Sequence, residues 1–132
     1  MTLGDKQQRF AHLLATFILS LYEIEGNEVR VTFGQVFRTP EQQEIYIKQG
    51  KSKTKNSQHL VRLAADLNIF IDGKYITGST EDEKAYLMIL GVKWEELCLY
   101  AGLTPEWGGR FGVQSKEYAT TVGWDSNHFG IK

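Results

Sequence analysis

The chain has 132 residues, and its 15 Lys+Arg stand against 16 Asp+Glu, so the overall field gives no argument for nucleic acid or an acidic membrane surface as partner. One domain spanning residues 1–132 is expected, since a chain of roughly 150 residues buries about 70% of the surface it would expose unfolded. The single Cys98 excludes an internal disulfide, and its place in an apolar helical pattern reads as a buried thiol.

Residues 1–9 carry acid and amides where an export signal would need a basic region running into an apolar block. The longest nearly apolar stretch, residues 10–22, contains His12, Thr16 and Ser20 and falls short of the roughly 18–20 residues of a membrane span. The sequence therefore predicts a soluble protein made in the cytoplasm. Over residues 5–25, Phe10, Leu13, Leu14, Phe17, Ile18, Leu21 and Tyr22 recur with helical spacing, and Gly26-Asn27 ends the pattern. Residues 28–33 alternate polar with apolar as a half-buried strand does.

A second helix is predicted from Thr39 as N-cap and Pro40 at the first helical position, carrying Ile45, Tyr46 and Ile47 and stopping at Gly50. Residues 51–57 contain no apolar side chain and read as a loop. An apolar strand over 64–71 meets residues 74–77 across Asp72-Gly73, the favoured dipeptide of a two-residue hairpin whose central residues both take positive φ. Ser79-Thr80-Glu81-Asp82-Glu83 caps a helix running toward residues 97–103, with Gly91 as a candidate kink or break. The glycines and Pro105 beyond it predict a loop-rich C-terminal third with a short strand near His128-Phe129. The whole reads as α+β with a small antiparallel sheet.

Chemistry concentrates in two places. Ser57-Gln58-His59 is followed by Asp66, and far downstream stands Asp125-Ser126-Asn127-His128. His59, Asp66 and His128 are suited to one Zn²⁺ ion, and three protein ligands leave a tetrahedral zinc an open position where bound water has its pKa lowered from about 16 to about 7. Asp66 stands in apolar company, where an unpaired carboxylate costs several kcal/mol, and a metal would partner it. The three-residue offset from Asp125 to His128 lets the histidine face an ion while the carboxylate reaches the ion's water. The plainer alternatives are an exposed loop histidine, a surface acid and a polar turn. Flanking Trp124 and Phe129 favour a half-buried site.

Taken together, Phe37-Arg38-Thr39-Pro40-Glu41-Gln42-Gln43, Gly50-Lys51-Ser52-Lys53-Thr54, Ser57-Gln58-His59, Ala64-Ala65-Asp66-Leu67, Trp107-Gly108-Gly109 and Asp125-Ser126-Asn127-His128-Phe129 form a familiar order. It resembles the VanY-like D-Ala-D-Ala metallopeptidases, and within them the phage endolysins that cut the L-alanyl-D-glutamate bond of peptidoglycan stem peptides. The resemblance implies a zinc peptidase with a hedgehog/D-Ala-D-Ala peptidase-like site. His59, Asp66 and His128 would be the zinc ligands, and Asp125 the base that activates the metal-bound water and passes its proton to the leaving amine. Arg38 would polarise the scissile carbonyl, as suits a fixed cation in a dry cleft, and Ser57 would lie near the substrate. The alternatives are a helix-start salt bridge for Arg38 and a turn hydroxyl for Ser57.

The chain departs from the pattern at Arg62, where the broader family has Gly, so the turn differs there or Arg62 lines the cleft. Asp rather than Glu before the last histidine leans toward the endopeptidase over D-Ala-D-Ala carboxypeptidase or dipeptidase activity. A non-catalytic wall-binding module is a further alternative, because the same fold resembles that of hedgehog signalling domains; the presence of both Asp125 and Arg38 speaks against it. Lys48, Lys51, Lys53 and Lys55, with Arg62, form a local basic patch that is either solvated loop or an attraction for stem-peptide carboxylates. Peptidoglycan is thus the expected partner, met by a monomer, with no nucleic acid or stable membrane association. The lack of an export signal fits a lysin that reaches the wall after release from the cell, and fits an intracellular enzyme equally well.

Overall fold

A computed structural model describes residues 1–132 apart from Lys53 and Lys55. The first helix, α1 (Leu3–Tyr22), starts at Thr2, whose hydroxyl accepts from the Asp5 amide while the Asp5 carboxylate accepts from the Thr2 amide. This reciprocal cap satisfies two donors that the first turn would otherwise leave unpaired. Phe10, Leu13, Leu14, Phe17 and Leu21 form its buried stripe. Strand β1 (Val29–Phe33) follows, then α2 (Pro40–Lys48), capped by Thr39 as expected. The buried side chain of α2 is the polar Gln43, whereas Ile45 is exposed; the apolar residues of this short helix do not face the core.

Strand β2 (Ala64–Ile71) turns through Asp72 (φ 51°) and Gly73 (φ 81°) into β3 (Lys74–Ile76), the hairpin the Asp-Gly pair predicts. Helix α3 (Glu81–Tyr100) runs unbroken through Gly91. The candidate break there is absent, and the glycine has a packing reason: a Cβ at this position would lie 2.2 Å from the Trp107 indole. Pro105, read as a loop marker, instead opens the edge strand β4 (Pro105–Trp107), where a missing backbone donor is tolerated. Strand β5 (His128–Ile131) ends the order.

The sheet runs β1-β2-β5-β4, all antiparallel, with β3 also on β2. Alternation along β2 sends Ala65, Leu67, Ile69 and Ile71 to one face, where they join the buried residues of α1 and α3. The core centres on Phe17, Trp94 and Phe129, with ring centroids 5.1 to 6.2 Å apart and the Trp94 indole donating to the Gly130 carbonyl. Cys98 is wholly buried, which pushes its thiol up to about 12 and leaves it an inert packing residue. Among the described residues no helix is long and apolar enough to cross a membrane. Asp66, Asn68 and Phe70 fall to the opposite face, and that face carries the site.

Candidate metal centre and cleft

Asp66 stands directly opposite His128 in the β2–β5 pairing, so both side chains leave the same face of the sheet. His59 reaches them from a single 3-10 turn, Gln58–Val61, capped by the Ser57 hydroxyl and closed by Arg62 in the left-handed region at φ 56°. Arg62 thus adopts the backbone a glycine would provide. Its guanidinium stacks 4.0 Å over the Phe37 ring and is not among the residues lining the cleft.

His59 Nε2 lies 3.2 Å from Asp66 Oδ1 and 3.2 Å from His128 Nδ1, and His128 Nδ1 lies 3.9 Å from Asp66 Oδ1. A tetrahedral ion with bonds of roughly 2.0–2.1 Å holds its ligand atoms about 3.3–3.4 Å apart, close to these spacings. Asp66 Oδ1 is buried and has no hydrogen-bond partner, although His59 Nε2 is within reach. An orphaned carboxylate oxygen between two imidazoles is what a bound cation would satisfy. The two histidines are buried and Asp66 is partly so. This donor set can hold a metal ion.

Asp125 does not belong to that set; its Oδ2 stops 3.8 Å from His128 Nδ1. Burial pushes its carboxyl above the usual carboxylate range, as does the neighbouring Asp66 charge, while His128, His59 and Arg38 oppose the shift. The turn carrying Asp125 is pinned by Trp107-Gly108-Gly109. The Trp107 indole donates to the Ser126 carbonyl at 2.8 Å, and a Cβ on Gly108 would meet the Asp125 carbonyl at 1.9 Å, so only glycine lets the two segments lie so close.

Arg38 is held by neutral partners. Its Nε donates to Gln35 Oε1 at 2.6 Å, its Nη1 to Gln43 Oε1 at 2.7 Å and to Ser57 Oγ at 3.3 Å, and its guanidinium packs on Tyr46. With amides rather than a carboxylate around it, the cation keeps its charge for the cleft. Buried Gln43 in turn donates to Ser52 Oγ, tying α2 and Arg38 to the loop beyond.

The cleft above the triad has a volume near 560 Å³, with Arg38, Lys51 and Ser57 among its polar lining and Phe111 and Trp124 among its aromatic lining. Of the basic patch, Lys51 lines this cleft, Lys48 ends α2, and Lys53 and Lys55 lie outside the described residues. Trp107 is core, whereas Trp124 is exposed. The structure therefore brings together His59, Asp66, His128, Asp125, Arg38 and Ser57 around one cleft.

Sequence reasoning missed Glu106, whose Oε2 lies 2.9 Å from His128 Nε2. Its signal was hidden because Pro105 and the glycines disguised β4 as loop. It also missed the Gln35 and Gln43 cradle of Arg38, since buried glutamines leave no mark in an apolar pattern.

Among solved structures, the L-Ala D-Glu endopeptidase ChiX of Serratia marcescens matches with a TM-score of 0.66, over 95% of this chain and 79% of that chain, at 18% sequence identity. The two share a fold. No family model and no curated protein matches the sequence.

Proposed function

We propose that the chain is a zinc-dependent peptidoglycan endopeptidase of the VanY-like metallopeptidases, one domain that cuts the L-alanyl-D-glutamate bond of stem peptides. The observation that carries this reading is the meeting of His59, Asp66 and His128 at one point, with Asp125 and Arg38 beside them, in a cleft on the fold of an L-Ala D-Glu endopeptidase. His59 Nε2, Asp66 Oδ1 and His128 Nδ1 would hold the ion. When bound, zinc supplies Lewis acidity and an acidified water at neutral pH.

The chain's own residues do the rest. Asp125 takes a proton from the attacking water at its carboxylate and delivers it to the leaving D-glutamyl amine. A carboxyl raised by burial suits both halves of that transfer. Arg38, fixed by Gln35 and Gln43, offers its remaining guanidinium edge to the carbonyl oxygen as negative charge develops there. Ser57 and Lys51, which line the cleft, offer polar contacts to the peptide, and Trp124 and Phe111 offer apolar ones. Such a protein acts as a phage or prophage lysin that reaches the wall after release, working as a monomer without nucleic acid or stable membrane contact.

Mass spectrometry of muropeptides from digested sacculi tests the bond. New amines on D-glutamate support the endopeptidase. Loss of terminal D-Ala without stem release would mean carboxypeptidase activity, and binding of wall fragments without new amine ends would mean a silent binding module.

A further inference from the structure

We infer that Glu106 is a positioning residue for His128, holding its imidazole so that Nδ1 presents a lone pair to the metal position. The inference rests on the reading of His128 as a metal ligand. Glu106 stands opposite Gly130 in the β4–β5 pairing, and His128 is two residues from Gly130 on the same face of the same strand. From that diagonal position the carboxylate meets His128 Nε2 at 2.9 Å.

The opposite nitrogen of that ring, Nδ1, is the one facing His59 Nε2 and Asp66 Oδ1. The ring therefore separates Glu106 from the convergence point, which excludes it as a direct ligand on this geometry. An ionised carboxylate only accepts hydrogen bonds. In a neutral His128 the proton thus sits on Nε2, and Nδ1 is left as the acceptor, the arrangement by which a carboxylate behind a metal-binding imidazole fixes both tautomer and ring orientation. His59 supplies the internal contrast: its rear nitrogen, Nδ1, is buried with no hydrogen-bond partner, so no such carboxylate orients its ring. Glu106 is the only carboxylate on the rear nitrogen of either histidine among the described residues.

The test has two readouts on protein labelled with ¹⁵N-histidine, whose three histidines are readily separated. In metal-free wild type at a pH where the ring is neutral, His128 is expected in the Nε2–H form. Glu106→Ala turns it into a tautomer mixture, whereas Glu106→Gln, still an acceptor through its amide oxygen, keeps it. In competition against a chromophoric chelator, Glu106→Ala weakens zinc binding by roughly 10- to 100-fold, and Glu106→Gln falls between it and wild type. An Nε2–H tautomer that survives Glu106→Ala, or zinc affinity indistinguishable from wild type in that variant, overturns the inference. If the alanine variant does not fold, unchanged affinity in Glu106→Gln overturns it alone. A wild type that takes up no zinc sinks the peptidase reading instead, and the tautomer of the metal-free protein still decides the role of Glu106.

Discussion

Asp66 and His128 face each other across β2 and β5 as a non-hydrogen-bonded pair. The Asp66 amide donates to the Gln35 carbonyl and its own carbonyl accepts from Gly34, so its backbone bonds point to the far edge and the two side chains stand at the closer of the two antiparallel spacings. A register slip of one residue would send either side chain into the core. Asp66→Ala and His59→Ala should each lose stoichiometric zinc, read by elemental analysis after purification without added metal, while the far-ultraviolet circular dichroism spectrum stays that of the wild type. Retained stoichiometric zinc in both would remove them from the ligand set.

Asp125 stands close to the same imidazole but outside the ligand set. Asp125→Asn should keep the metal and lower turnover by roughly 10²- to 10⁴-fold, the usual worth of a positioned acid or base. Steady-state assays on purified sacculi alongside metal content decide it; near-normal turnover would hand the proton transfer to another group.

Arg38→Ala should lower kcat by about 10²- to 10³-fold, as removal of one oxyanion-stabilising donor does. Arg38→Lys should not restore it. Gln35 and Gln43 grip the planar fork at two different nitrogens, a geometry a single ammonium cannot reproduce. Full activity in the lysine variant would show that charge alone suffices.

Gly91→Ala sets two effects against each other. Helix propensity favours alanine by about 1 kcal/mol. The added methyl, however, would enter the ring of fully buried Trp107, and overpacking of this kind costs typically about 1–3 kcal/mol. Packing wins, so the urea midpoint should fall. A rise would mean that β4 and α3 can separate at no cost.

Glu83, at the start of α3, accepts from the Thr77 and Gly78 amides and pairs with Lys74. The Thr77 amide foremost, with Gly78 and Lys74, holds its carboxyl down at about 2 against an ordinary 4.5, with desolvation opposing. Its contribution to stability is complete above the unfolded value and is lost as pH falls from about 4.5 toward 2. Glu83→Gln should lower the melting temperature at neutral pH and flatten that acid-side slope. An unchanged slope would assign acid lability to other groups.

Much of this was legible in the chain. Periodicity marked α1 and β1, apolar composition marked β2, Asp72-Gly73 marked the hairpin, and Thr39-Pro40 marked α2, because each is fixed by local chemistry. The convergence of His59, Asp66 and His128 was legible only through their donor chemistry and the family resemblance, since nothing local says that β5 returns beside β2. What stayed hidden depended on contacts distant in sequence. Gly91 looked like a helix breaker until Trp107 filled its place, Trp107-Gly108-Gly109 gave no hint that it clamps the Asp125 turn, and Glu106 and Gln43 are polar residues whose value lies wholly in the side chains they meet.

The most direct measurement is mass spectrometry of products from purified sacculi incubated with the protein, with a chelator and after zinc is returned. The account predicts new free amines on D-glutamate, lost with chelator and restored by zinc. Stem peptides that remain intact with zinc bound, or cleavage that the chelator leaves untouched, would contradict it.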